Sequence, residues 1–392
     1  MVIKRIGIGL VGLLVVAFIA VFFVVPGPLI STAARTGQGM LFAEIDGRDA
    51  VVIAYDDDGY SGFGFFNPWD LGGRITALDL DTGETIWNRG LGDDEPAFLT
   101  RMLAAGENYA YLRTTFGFLV ISLADGSTVA TEDDFSDAVD FADLTTEVAF
   151  SPSQNAIMIG AEDAPVRKIA LDTLEVVDVD AATSDTWSCV VAWNGHGYAE
   201  SDTEAVTVDQ LPTGGEVLGF GVPSGSAPGT PGKRLSRLND DGSGRSVGGA
   251  IFVDPGFVAQ SVAVEPSPGA CPHAQWDDDV FPGGRTIAVP LGTADGYGVV
   301  DHAQSARTDD RQISVVDAAS GEVLGSSPAE GGLFDAAIAP SGQSVVIVDR
   351  FLPGVLPSWG TTPVTASVLL ISPEGSMREI VLAPHGWLGL PW

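Results

Sequence analysis

Cys189 and Cys271 are the only thiols in the chain. A zinc scaffold built on repeated Cys pairs is therefore excluded, and in an oxidising compartment an even pair reads most simply as one disulfide. The competing reading groups Cys271 with His273 and His302 as a metal site, although that spacing matches no zinc pattern. Positive charge is equally scarce. Lys and Arg number 19 against 52 Asp and Glu, a formal net charge of −33, so nucleic acid is not a partner through general electrostatics. Catalytic motifs are missing too: there is no G-x-S-x-G elbow, no H-E-x-x-H and no G-x-x-x-x-G-K-[ST]. The four histidines, His196, His273, His302 and His385, read as surface or loop-packing residues scattered through loops.

What the chain does have is apolar bulk and turns. Hydrophobic residues make up 45% and charged residues 18%, which excludes global disorder. Gly 49 and Pro 24 in 392 residues are too many for a helical bundle and suit a fold that turns about every ten residues. At the amino terminus, Lys4 and Arg5 precede an unbroken apolar run from Ile6 to Val25, ended by Pro26-Gly27-Pro28. A helix of that length would cross the ~30 Å hydrocarbon core. The positive-inside bias then leaves 1–5 as a cytoplasmic tail, 6–25 as a single-pass anchor and 26–40 as a linker, with 41–392 as an extracytoplasmic domain at the cell membrane. The alternative is a cleaved signal peptide, with Ser31-Thr32-Ala33-Ala34 near the cut. Gly7-x-Gly9-x-x-Gly12 imitates a dinucleotide fingerprint but lies inside this run, without the strand and aqueous helix start that motif needs.

Beyond the anchor one pattern recurs. GRITALDLDTGETIWN over 73–88 is two alternating apolar runs around an Asp-Thr-Gly turn, the mark of a half-buried hairpin. It returns from Phe118, Val166, Val206, Gln312 and Val368, with turn residues at 83, 126, 174, 214, 321 and 375. The long interval between 214 and 321 hides a weak copy, best placed at LSRLNDDGSGRSV from Leu235. EVAFSPSQNAIMIG from Glu147 and FDAAIAPSGQSVVIV from Phe334 supply the inner strand pair of such units. Copies spaced some 40–50 residues apart are the signature of propeller blades. The sequence predicts an all-β protein: a β-propeller of seven blades, each of four antiparallel strands, preceded by one transmembrane helix. An open β-sandwich or a pair of smaller β-domains is the other arrangement of these strands. LFAEI from Leu41 or DAVVIAY from Asp49 is the strand expected to pair into the last blade and close the ring.

The run Ala77-Leu78-Asp79-Leu80-Asp81-Thr82-Gly83-Glu84-Thr85-Ile86-Trp87 resembles the A-x-D-x-x-T-G-x-x-x-W repeat of quinoprotein-like propellers. These include quinone-dependent alcohol dehydrogenases and the propeller lipoprotein of the outer-membrane barrel-assembly machinery. The dehydrogenases carry eight blades, a repeated Trp, an adjacent-cysteine disulfide and an acidic base beside calcium. This chain keeps the Trp in one copy only, with Val129, Val177, Leu218 or Leu324 near its place in the others. Its layout is more similar to membrane-anchored propellers of high-GC Gram-positive bacteria. The resemblance implies a fold more than a chemistry.

The acidic triplets Asp56-Asp57-Asp58 and Asp277-Asp278-Asp279 are solvated loop or, if a cation is held, the place to seek Ca²⁺; no other cofactor is expected. Three long insertions stand out. Asp56–Gly73 sets Tyr60, Phe63, Phe65, Phe66 and Trp69 among glycines; Gly221–Arg245 is a loop with the basic group Lys233, Arg234, Arg237 and Arg245; Val264–Gly284 carries Trp276. Aromatics on long loops of a rigid scaffold point to a contact surface for a cell-envelope protein or glycan, or else they cover the channel end. The functional expectation is a non-catalytic binding or scaffold module using loops on one face. The alternative is a quinone- or metal-dependent oxidoreductase acting in the central channel.

Overall fold

The computed structural model describes residues 36–56, 73–91, 97, 100–114, 117–136, 147–160, 165–194, 205–213, 216–222, 231–239, 244–263, 286–292, 296–351 and 364–382. Its strands are built on the repeated hairpin. At Asp79, Ser122, Ala170 and Asp317 the backbone N–H donates to the carbonyl five residues on, and the carbonyl accepts from the N–H four residues on. That fourth residue sits at positive φ each time: Gly83 at 72°, Gly126 at 72°, Leu174 at 59° and Gly321 at 70°. In two copies the Asp at the first position also ties the turn with its carboxylate. Asp79 Oδ1 accepts from the N–H groups of Asp81 and Thr82, and Asp317 Oδ1 from those of Ala319 and Ser320. The Ser320 hydroxyl and N–H hold the Asp317 carboxyl below its ordinary value.

Three sheets form in succession as antiparallel meanders. Sheet I is β1 (Leu41–Ile45), β2 (Arg48–Asp56), β3 (Gly73–Asp79) and β4 (Thr85–Gly90). Sheet II is β5 (Arg101–Ala105), β6 (Tyr109–Thr114), β7 (Gly117–Ser122) and β8 (Thr128–Thr131); sheet III is β9 (Glu147–Ser151), β10 (Ala156–Gly160), β11 (Arg167–Ala170) and β12 (Val176–Asp178). A helix, α1 (Ala181–Asn194), follows, then β13 (Ala205–Val208). Two further meanders share one ten-stranded sheet. Sheet IV is β14 (Gln210–Thr213), β15 (Glu216–Gly221), β16 (Gly232–Leu238) and β17 (Gly244–Ser246). Sheet V is β18 (Phe252–Ala263), β20 (Tyr297–Ser305), β21 (Thr308–Asp317) and β22 (Val323–Pro328), with β13 and β19 (Thr286–Pro290) also pairing along β18. Sheet VI is β23 (Gly332–Ile338), β24 (Ser344–Phe351), β25 (Val364–Ile371) and β26 (Met377–Val381).

The inner strands of sheets I, II, III, V and VI are apolar on both faces, because each of these sheets is covered twice. In β2, Val51, Ile53 and Tyr55 face sheet VI, whereas Ala50, Val52 and Ala54 face sheet II. In β10, Ile157 and Ile159 pack on sheet II, and Met158 packs on Trp187 of α1. Sheet V gives Val299 and Val315 to sheet VI, and Val300 and Val316 to sheet IV. The sheets therefore pack face to face in the series III–II–I–VI–V–IV, the arrangement of β-propeller blades, and α1 covers the free face of sheet III.

Several expectations change. Among the described residues the seven copies fall in six meanders, because the copies at 214 and 235 are neighbouring hairpins of sheet IV. Neither Leu41–Ile45 nor Asp49–Tyr55 pairs into the last sheet. They pair with each other in sheet I, and sheet VI meets them only through side chains. The Gly221–Arg245 segment contains strands, so Lys233, Arg234, Arg237 and Arg245 lie on β16 and β17 rather than in a loop. The described fold begins at Thr36, whose segment is already fastened: Gly37 N–H donates to Ala54 O, and Met102 N–H to Gln38 O. No helix among the described residues is long and apolar enough to cross a membrane, and residues 6–25 lie outside them.

Candidate binding end of the sheets

Meander topology sends connections alternately to two ends. At one end they run from two to five residues: 46–47, 80–84, 106–108, 123–127, 152–155, 171–175, 214–215, 239–243, 318–322, 339–343 and 372–376. Contacts between sheets place these turns together, since Glu107 N–H donates to Asp172 Oδ1 at 2.7 Å and Gln343 Nε2 to Asp81 Oδ1 at 2.8 Å. The opposite end carries the long connections 57–72, 91–100, 132–146, 222–231 and 352–363 together with the short ones 115–116, 161–166, 247–251, 306–307 and 329–331. One long connection breaks the rule: 264–285 follows the inner strand β18 and leaves at the tight-turn end. The two acidic triplets thus belong to connections at opposite ends.

Asp56 is the one member of those triplets within the described residues. It is not solvated: at 1% exposure its Oδ1 accepts the Ala97 N–H at 2.6 Å, tying connection 57–72 to 91–100. Leu91 N–H to Gly73 O adds a second tie. Because Asp56 pairs with Gly73, and Phe351 with Val364, connections 57–72 and 352–363 start and finish on adjacent strands. Tyr60, Phe63, Phe65, Phe66, Trp69, Trp276, Asp57, Asp58, Asp277, Asp278 and Asp279 lie outside the described residues. So does Cys271, and Cys189 is placed only as backbone within α1. Among the described residues no group of three His, Cys, Asp or Glu is placed to hold a metal ion.

The same end holds a polar constellation that loop composition did not reveal. The chain passes from sheet IV to sheet V at Asp254, which takes φ 47° in a strand irregularity between Val253 and Gly256. Arg311 on β21 fixes this corner. Its Nε and Nη2 reach Asp301 Oδ1 and Oδ2 at 3.0 and 2.7 Å, and Nη1 reaches Asp254 Oδ2 at 3.3 Å. The fork on Asp301 raises the guanidinium's pKa further. His302 is buried on strand β20, not in a loop. Its Nδ1 lies 3.0 Å from Ala303 O, so that nitrogen carries the proton; Nε2, 2.8 Å from Ser314 Oγ, then accepts. Ser314 Oγ is in turn 2.8 Å from Ser326 Oγ on the outer strand β22, which is exposed. Burial pushes the His302 pKa down, against the Ala303 carbonyl and Asp301, so the ring is neutral at pH 7. The Phe252 ring meets it edge-on, centroids 5.1 Å apart. The available signal was Asp301-His302 interrupting the apolar strand YGVV, with Arg311 across a two-residue turn.

No protein-family model matches the chain, and no curated protein does. Among solved structures it is similar to a dihydro-heme d1 dehydrogenase, NirN, in complex with DHE, at 12% identity over 88% of this chain and 66% of that one, TM-score 0.30. It is similar to the isopeptidase AtxE2 at 8% identity over 92% of this chain and 54% of that one, TM-score 0.40. It is also similar to the β-propeller domain of Cps50 (Swd1) from Myceliophteria thermophila, at 11% identity over 81% and 95%, TM-score 0.28. The chain thus spans just under two thirds of the first and about half of the second.

Proposed function

We propose that the protein is a membrane-anchored, extracytoplasmic binding module that recognises a cell-envelope protein or glycan through the long-connection end of its sheets. The observation that carries the reading is the asymmetry of the two ends. Eleven connections of two to five residues lie at one end, whereas five connections of ten to sixteen residues lie at the other, two of them tied together by Asp56. Binding surfaces collect on long loops held by rigid sheets. The anchor is residues 6–25, the stabilising crosslink Cys189–Cys271, and the leading contact segment Asp56–Gly73 with Tyr60, Phe63, Phe65, Phe66 and Trp69. Trp276 and any Ca²⁺ at Asp277–Asp279 belong to the 264–285 connection and so are secondary to this surface.

Replacing residues 58–71 by a four-residue Gly-Ser link tests it. The paired ends at Asp56 and Gly73 let the shorter link close without moving a strand. Pull-down from the cell envelope is expected to lose its specific partner while the urea midpoint stays within about 1 kcal/mol of the parent. Retention of every partner by a folded replacement would refute the assignment.

A further inference from the structure

A cavity of about 310 Å³ opens at the other end, in the seam between sheets VI and I. Its floor is the buried Leu80 and Leu370, and its polar walls include Asp81 from the β3–β4 turn, Gln343 from the β23–β24 turn, and Glu374 and Arg378 around the β25–β26 turn. Three features make it unlike a plain surface dimple. Gln343 is 8% exposed; its Nε2 is spent on Asp81, and its Oε1 has no hydrogen-bond partner. A buried carbonyl left so costs about 1–3 kcal/mol and wants a donor. Next, the stem of Arg378 lies over the turn glycine of sheet I, since a Cβ on Gly83 would lie 3.0 Å from Arg378 Cδ. Finally, among the described residues neither Arg378 nor Glu374 makes an ion pair, with each other or with any other side chain. One pocket therefore presents a guanidinium and two carboxylates, and the opposite charges do not satisfy one another.

We propose that this cavity binds a free α-amino acid, its carboxylate on Arg378 and its ammonium group between Asp81 and Glu374, with an aliphatic side chain over Leu80 and Leu370. A zwitterion answers both signs at once, and the ammonium protons supply the donors for which Gln343 Oε1 is the further acceptor. A phosphate faces two carboxylates against one guanidinium. A sugar ring finds no aromatic side chain in the lining to stack on. The volume lies at the lower edge of the range for small-molecule sites, about 300–1,000 Å³. This site is independent of the binding end proposed above, so the two readings fail separately.

Calorimetry on the purified full-length chain decides it, with L-leucine as the probe. N-acetyl-L-leucine lacks the ammonium, L-leucinamide lacks the carboxylate, and glucose is the hydroxyl-rich comparator. The expected result is saturable binding of L-leucine, at least about tenfold weaker for each single-charge analogue and absent with glucose. Arg378 is exposed, so Arg378→Gln is expected to keep the parent's urea midpoint and lose L-leucine binding. No heat up to about 10 mM L-leucine, equal binding of either analogue, binding of glucose alone, or full binding by Arg378→Gln would each overturn the proposal.

Discussion

Gly126 closes the β7–β8 turn of sheet II with φ 72°, and an added Cβ there would lie 2.6 Å from Trp87 Cε3 and 2.9 Å from Trp87 Cζ3. Trp87 cannot retreat. It is 6% exposed, and its Nε1–H donates to Leu123 O in sheet II at 2.7 Å. Gly126→Ala therefore meets two costs. The left-handed conformation is worth about 1–2 kcal/mol against a Cβ, offset by roughly 0.5–1 kcal/mol of lost unfolded-state freedom. Forcing a methyl into a packed ring adds about 1–3 kcal/mol. The sum is a loss of about 1–4.5 kcal/mol. Gly47 separates the costs, because it has φ 74° and nothing within 4 Å of its added Cβ; Gly47→Ala should lose no more than about 1 kcal/mol. Urea unfolding of both variants, followed by Trp fluorescence with m checked for constancy, reads the difference. In a Trp87→Val background the Gly126→Ala penalty should fall toward the Gly47→Ala level, leaving the contact with Arg89 Cγ, 2.9 Å from the added Cβ. Equal losses for the two alanine variants, or no relief from Trp87→Val, would show that sheets I and II do not meet as described.

Two further outcomes follow from the same structure. Trp87→Phe keeps the ring against Gly126 but leaves Leu123 O without its indole donor, so the urea midpoint should fall by the equivalent of about 1–3 kcal/mol. His302 is held neutral below its ordinary pKa, whereas the unfolded chain titrates near 6.5. Its contribution is thus fully present above about pH 6.5 and is lost as pH falls toward the folded pKa; His302→Gln should flatten that part of the pH–stability curve, as urea midpoints between pH 7.5 and 5 would show.

The hairpins were legible because each step of their chemistry is local. An Asp whose carboxylate takes the next N–H groups, then a residue that tolerates positive φ, writes the turn directly into five letters. Strand pairing across units is not local, which is why LSRLNDDGSGRSV passed for a unit of its own when β16 in fact pairs with β15. The helix start is also local. Asp180 Oδ1 accepts the Thr183 N–H at 2.9 Å, and an Asp three residues before a Thr, with Ala181-Ala182 between, is a helix start. His302 was harder, for a lone His beside Asp301 looks alike in a loop and in a strand. What decides its neutrality is Ser314, twelve residues away and across a strand pair.

The seams explain why the repeat fades in sequence while the geometry persists. At sheets I and II the turn residue is bare, Gly126, and the facing outer strand supplies the bulk, Trp87. At sheets VI and I, Gly83 is likewise bare against Ile380 and Arg378, and at V and VI Gly375 is bare against Leu324. At sheets II and III the roles reverse. The outer strand offers Val129, 41% exposed, and the turn offers Leu174, which packs on the shared core in spite of φ 59°. Leucine in that conformation carries strain of order 1–2 kcal/mol, and partial burial of its side chain returns part of the about 1.5–3 kcal/mol that full burial is worth, so the two roughly offset. What each seam conserves is the filled volume between two sheets, with the bulk free to sit on either side. A pattern that demands glycine in the turn and tryptophan opposite it therefore finds one copy, where packing builds four such seams from different letters.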